Sequence, residues 1–365
     1  MPCRACLSGE DLDWLGGRSV SLALDLTTSV EIRLPAARSP KDAAGESRTG
    51  SWPDEVWAFM RQRLPELGPR PPAVTVRSTA PAASGLSSST ALIVALFGAF
   101  AEACVPAPRI TARTLAQWAY EFEFAIFNGG GMDHLAVIAG DTLLLQGRET
   151  GLPDIRGQLE FPREWSVVVV DSATRKDTGD HIRSVRDQLA AGDERLAAYL
   201  TQVDDASAAV WEAVLSRDLG ALGAGMSTAH AAMRDLQGMS TPLLEELRVL
   251  ALRSAGLPLK LSGAGGGGAL VGVCPASDRD EVVRELRCAL RRGHPQARVI
   301  PTRAAMGLAP EVTGQRWGGG PPAQVNDLTT EGSYSSGSPS DSSSGYPSDS
   351  SSGYPSSSSS GYPSR

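Results

Sequence analysis

Hydrophobic spacing divides the chain into strand-like and helix-like runs as far as about residue 301. Residues 3 to 34 read as a strand, a polar turn from Gly9 to Gly17, and a second strand within Ser19 to Ile32. A polar loop over 36 to 51 follows. Asp54 to Leu64 then has Val56, Trp57, Met60 and Leu64 on one helical face. The short alternation of Val74, Val76 and Ser78 predicts a strand, and the apolar run from Ala91 to Phe100 predicts a buried helix. Thr111 to Phe127 reads as a helix capped by Thr111, with Leu115, Trp118, Ala119, Phe122 and Ile126 as its buried stripe. Further on, Trp165 to Asp171 predicts a buried strand. Ile182 to Trp211, Leu215 to Arg234 and Thr241 to Ala255 predict helices, and Ala297 to Pro301 a last strand.

Composition narrows the class. The 365 residues are 41% hydrophobic, enough for one large or two medium cores, and the net charge of -7 with no long basic run argues against a nucleic-acid surface. No apolar stretch reaches the roughly 18 residues of a membrane span, and no signal peptide precedes the first apolar run, so a cytoplasmic chain that binds no membrane is expected. Five scattered cysteines (Cys3, Cys6, Cys104, Cys274, Cys288) do not suggest a disulfide framework. Cys3 and Cys6 form a CxxC that invites a zinc or redox reading, without a second CxxC or a nearby His to complete it.

Three stretches carry candidate chemistry. Pro81 to Thr90, PAASGLSSST, is a Gly/Ser-rich turn between a strand and a helix, and reads either as a serine-rich cap or as an anion site. No Lys follows its last Gly, so the Walker pattern is not met. The turn holding Glu10, Asp11 and Asp13 is either a solvated loop or a polyol or cation site, because carboxylates accept hydrogen bonds from vicinal hydroxyls. Finally Asn128-Gly-Gly-Gly-Met-Asp133-His134 brings backbone close to a ligand and fixes where the Asp133 carboxylate points.

Together with Lys260-Leu-Ser-Gly-Ala-Gly-Gly-Gly-Gly-Ala269, these stretches resemble, in order, the motifs of the GHMP kinase superfamily. GEDLDWLGG with the preceding Arg4 is similar to the first motif of galactokinases, PAASGLSSST to the nucleotide motif, and EFEFAIFNGGGMDH, without a gap, to the galactokinase stretch ending in Gly-x-Met-Asp-Gln. The resemblance implies an α+β, two-lobed fold. Residues 1–160 would form an N-terminal domain of the ribosomal S5 type, and 161–310 a ferredoxin-like C-terminal domain. It implies ATP and Mg²⁺ as cofactors, with a sugar or sugar derivative phosphorylated at its anomeric hydroxyl.

Residue by residue, the resemblance makes Asp133 the catalytic aspartate and Arg4 the arginine that keeps it ionised. The nucleotide would lie on Pro81, Gly85, Leu86, Ser87, Ser88, Ser89, Thr90, Gly265 and Gly266. Ser89 and Glu121 would hold Mg²⁺, with Glu123 as the competing carboxylate. The acceptor would meet Glu10, Asp11, Asp13, Gly130 and Arg183. Two of these depart from galactokinases: Asp11 replaces a His, and Arg183, three residues before Arg186, replaces a sugar-contacting Tyr. A kinase of mevalonate or homoserine type and a catalytically silent galactokinase-like sensor are the alternatives.

Beyond about Pro310 the composition turns to Ser, Gly, Pro and Tyr, with Gly337, Gly345, Gly353 and Gly361 eight residues apart. Residues 311–365 have little to bury and read as a disordered tail. Tyr334, Tyr346, Tyr354 and Tyr362 leave two readings open: a segment that binds an unknown partner or is phosphorylated, and an inert solubilising one.

Overall fold

The computed structural model describes residues 1–33, 52–81, 84–104, 110–127, 129–174 and 178–308. The expectations for the 36–51 loop, Ala82, Ala83, Asn128 and the 311–365 tail fall outside the described residues. All elements below lie within the contact unit Met1–Gly319.

The first sheet is antiparallel and centred on a 16-residue strand, β2 (Arg18–Arg33). One half of β2 sits between β1 (Pro2–Ser8) and β4 (Thr142–Gln146), with β5 (Asp154–Leu159) beyond β4; its other half pairs with β3 (Ala73–Ser78). Ser19 to Leu24 are all buried, while from Asp25 onward exposure mostly alternates, as a strand with one wet face requires. Helices α2 (Trp52–Arg63), α3 (Ser88–Cys104), α4 (Ala112–Phe127) and α5 (Met132–Ala139) complete this half.

The second sheet is antiparallel with order β7 (Lys260–Leu261), β8 (Ala269–Pro275), β6 (Trp165–Asp171), β9 (Arg298–Thr302). It is accompanied by α6 (Thr178–Ala191), α7 (Glu194–Ser216), α8 (Leu219–Gln237), α9 (Pro242–Ala255) and α10 (Arg279–Gly293). The strands thus divide cleanly, but the core does not. Strand β6 buries both faces: Val167 and Val169 join the cluster of the first sheet, and Val168 and Val170 join the cluster formed with α9 and α10. Helix α7 also packs on β1 and β2.

Two sequence expectations need correction. The helix read from Ile182 to Trp211 is two helices. Gly192 ends α6 in a left-handed conformation at φ 64°, and the next residue, Asp193, caps α7 by accepting from Arg195 N–H. The pair Gly-Asp is a stop signal followed by a start signal, and the continuous apolar stripe masks it. The second concerns Ile126, which is 48% exposed although Leu115, Ala119 and Phe122 are buried. Residues 124 to 126 are all exposed, so the last turn of α4 extends past the core.

Candidate active site

Arg4 projects from β1 at the position paired with Ala23 and is almost wholly buried. Its Nε donates to Asp133 Oδ1 at 2.7 Å, and its Nη1 donates to the carbonyl of Gly85 at 2.6 Å. The backbone N–H of Arg4 donates to the carbonyl of Leu86. Ser87, in a left-handed conformation at φ 58°, donates its hydroxyl to the other oxygen of Asp133. One β1 residue therefore ties the Gly85–Ser87 turn to the first turn of α5. Burial alone would raise the Asp133 pKa. The Arg4 charge and the hydrogen bonds from Ser87 and Arg4 outweigh it and hold the carboxyl below its usual range.

The turn after β1 is shaped by Gly9, at φ 99°, where a side chain would strike the backbone of Ser19. Its short helix α1 (Leu12–Leu15) presents Asp13, whose Oδ2 accepts the Met132 N–H at 2.8 Å. Gly130 is required there, because a Cβ would lie 1.9 Å from that oxygen. Burial pushes the Asp13 pKa up to about 7; the Met132 N–H opposes this, and Asp133 and Asp11 add to it. Asp11 is half-buried in a left-handed conformation, and its side chain, 8% exposed, pairs with His181 of α6 at 2.8 Å. His181 was not found from the sequence. The available signal was Asp11 itself, a carboxylate among the apolar Leu12, Trp14 and Leu15 that needs a cationic or hydrogen-bonding partner once covered.

Two acceptor-side candidates are engaged within the protein itself. Glu10 is only 3% exposed, and its Oε1 accepts from Lys260 Nζ at 2.5 Å and from the N–H of Gly263, so this oxygen is committed inside the protein. Arg183 has a 70% exposed side chain that pairs with Asp180 on the same helix. Nearby Arg186 instead lies over the Trp14 ring, 4.8 Å from its centroid.

The two glycine-rich stretches meet. Ala269 N–H donates to the carbonyl of Ser84 at 2.7 Å, and a Cβ on Gly268 would collide with that carbonyl. Ser262 Oγ reaches the Gly85 carbonyl, and Ser84 Oγ donates to Pro81. Gly265, at φ 77°, lies against Met239, whose carbonyl accepts from Gly266 N–H, and Gly266 itself is exposed. Leu86 is a core residue, so any ligand contact there is made by its backbone. Ser88 opens α3 and Ser89 is exposed in its first turn.

The metal expectation also shifts. Glu121 points outward to Arg63 at 2.6 Å and Gln117 at 3.0 Å. Two residues on, about 200° around the helix, Glu123 turns inward. Its carboxylate accepts from the buried Thr90 hydroxyl at 2.9 Å and stands 2.9 Å from His134 Nε2. Among the described residues no group of three or more His, Cys, Asp or Glu is placed to hold a metal. Cys3 and Cys6 are buried free thiols; burial lifts Cys3 to about 11 and Cys6 well above its usual value.

The family description "GHMP kinases N terminal domain" matches residues 54–141, and "GHMP kinases C terminal" matches residues 210–292. The chain belongs to the GHMP kinases. It is 27% identical over 362 residues to a galactokinase of Mycobacterium tuberculosis (strain ATCC 25618 / H37Rv), covering 84% of this chain and 97% of that one. Among solved structures, Lactococcus lactis galactokinase complexed with galactose superposes with a TM-score of 0.67 at 16% identity, over 84% of this chain and 92% of that one. L. major mevalonate kinase in complex with R-mevalonate gives 0.66 at 18% identity, over 84% and 95%. The α+β fold is the two-lobed GHMP kinase fold, and the chain is a phosphotransferase acting on an alcohol group, galactokinase-like in its relatives.

Proposed function

We propose that the protein transfers the γ-phosphoryl group of ATP to the anomeric hydroxyl of a sugar or sugar derivative, giving a sugar 1-phosphate. The observation that carries this reading is the Asp133 carboxylate, held ionised by Arg4 and Ser87 and set one residue beyond Met132, whose N–H anchors Asp13. The acceptor hydroxyl binds between the two aspartates. Asp133 orients it and takes its proton late, which suits a carboxylate of low basicity. Arg4 offsets the charge that builds on the transferring group. Backbone N–H groups from Gly85 to Ser89, at the start of α3, and the exposed Gly266 face the triphosphate.

The oxygen donors of Glu123 and the Ser89 and Thr90 hydroxyls fit Mg²⁺, which prefers one or two protein oxygens together with phosphates and water. When bound there, the ion supplies positive charge against the phosphate oxygens. Asp11 and Asp13 leave acceptors for vicinal hydroxyls, which favours a polyol. A cytoplasmic setting, where ATP is at hand, fits the reading.

A second reading, a kinase of a non-sugar alcohol of mevalonate or homoserine type, draws on the withdrawal of Glu10 and Arg183 from the acceptor side. The test is ADP release with ATP and Mg²⁺ over free hexoses, uronic acids, amino sugars, heptose phosphates, mevalonate and homoserine. Sugar-dependent release is expected. Release with mevalonate or homoserine alone would favour the second reading. Silence across the panel, with nucleotide and a sugar still binding by calorimetry, would replace both with a sensor.

A further inference from the structure

Lys260 and Glu10 form an ion pair whose side chains are 0% and 3% exposed. The ammonium is saturated: it donates to Glu10 Oε1, to the carbonyl of Cys6 at 3.2 Å and to that of Leu261 at 2.7 Å. Around it the start of the 263–268 glycine loop is fastened to the other sheet. Gly263 N–H reaches Glu10 Oε1, and Cys6 N–H donates to Ser262 Oγ. Leu261 N–H donates to His230 Nδ1, which secures β7 from the other side. Glu10 belongs to the same turn as Asp11 and Asp13, and Tyr199 donates its hydroxyl to the Glu10 carbonyl. Two buried charges are a costly way to hold a fold together, and an apolar pair would serve at least as well for stability alone.

We infer that Lys260 and Glu10 are a positioning pair that holds the glycine loop in its nucleotide-binding conformation and ties it to the acceptor turn. Glu10 acts on the loop through Oε1, which meets both Lys260 and Gly263. The inference rests on the proposed nucleotide role of that loop. Its consequence is that the pair sets nucleotide affinity even with no acceptor present, because a loop released at Gly263 must be ordered on binding.

The test uses the full chain and the β,γ-imido analogue of ATP with Mg²⁺, measured by calorimetry without acceptor, alongside thermal unfolding without ligand. Lys260→Met leaves a buried carboxylate unpaired and should lower Tm strongly. The double variant Glu10→Leu, Lys260→Met removes both charges and should regain most of that Tm, yet bind the analogue about ten-fold more weakly than the parent, a difference calorimetry resolves easily. Binding within two-fold of the parent would overturn the inference and leave the pair purely structural. Should the double variant not fold, Lys260→Arg decides. It keeps the charge but cannot meet the same three acceptors, so a loss of about three-fold at near-parental Tm supports the inference and an unchanged affinity overturns it. If the parent itself does not bind the analogue, the kinase reading fails with it.

Discussion

Two ion pairs fasten the β1 region, one to the first turn of α5 and one to β7, and they differ in exposure. In Arg4–Asp133 the carboxylate side chain keeps 27% of its surface, whereas in Lys260–Glu10 neither partner keeps more than 3%. Both have a short N–O distance; Asp133 accepts on both oxygens, whereas Glu10 accepts from Lys260 and Gly263 on Oε1 alone and its buried Oε2 has no hydrogen-bond partner among the described residues. An aspartate that is to meet a substrate must keep an accessible edge while its charge is fixed by neighbours; a carboxylate closed on every side can only hold structure in place. Accessibility thus separates chemistry from positioning where residue type and pairing do not.

The largest loss is expected from Asp133→Ala. Turnover in the ADP-release assay should fall by roughly 10³-fold, in the range expected for loss of a proton acceptor, with circular dichroism showing an intact fold. Activity within ten-fold of the parent would remove Asp133 from the chemistry. Next in size is the choice between two glutamates on one helix. Glu123→Ala should cost about 10²-fold and shift the Mg²⁺ requirement to higher concentration, while Glu121→Ala, which breaks an exposed pair with Arg63, should stay within two-fold. The reverse ranking would return the metal to Glu121.

That choice shows how far the sequence could be read. Motif order gave the two-lobed fold and drew attention to Arg4, Asp133 and the Gly85–Ser87 turn, which the structure brings together, because these depend on local backbone shape and on small residues at fixed spacing. Side-chain direction was not legible in the same way. Glu121 and Glu123 differ by about 200° of helix rotation, and counting back from Asp133 cannot register that without knowing how α4 is rolled on the core. The partners of Glu10 and Arg183 were hidden for a related reason. Lys260 lies 250 positions from Glu10, and Arg183 finds a local partner three residues back. The Asp11–His181 pair likewise exists only once α6 is folded over the turn.

Ser87→Ala comes third. Losing the hydroxyl that Asp133 accepts from should let its pKa rise and slow turnover by about ten-fold, and the acid limb of the pH–rate profile should move to higher pH. A rate loss without that movement would mean Ser87 serves the nucleotide and not the aspartate.

Asp13 tests the acceptor side through pH. Its folded pKa, about 7, lies above the ordinary carboxylate value, so between about pH 4 and 7 the folded state holds a proton that the unfolded chain has lost. The stability this provides is present at low pH and disappears as pH rises through that window. Asp13→Asn keeps an oxygen for the Met132 N–H and removes the titration. Its Tm should therefore exceed the parent's by a few degrees at pH 8, and the advantage should vanish at pH 4; an equal advantage at both would show that Asp13 does not titrate there.

The smallest expected effect probes the surface of α6. Arg183 is mostly exposed and paired with Asp180, and exposed pairs at this spacing contribute little. Arg183→Ala should leave the acceptor KM and kcat within two-fold of the parent, whatever alcohol the panel identifies. A selective rise in KM, with kcat and nucleotide affinity unchanged, would mean that the side chain swings from Asp180 to the acceptor when the site is filled. That would mark an anionic group on the acceptor, because a guanidinium drawn into the site would need a carboxylate or phosphate to replace Asp180.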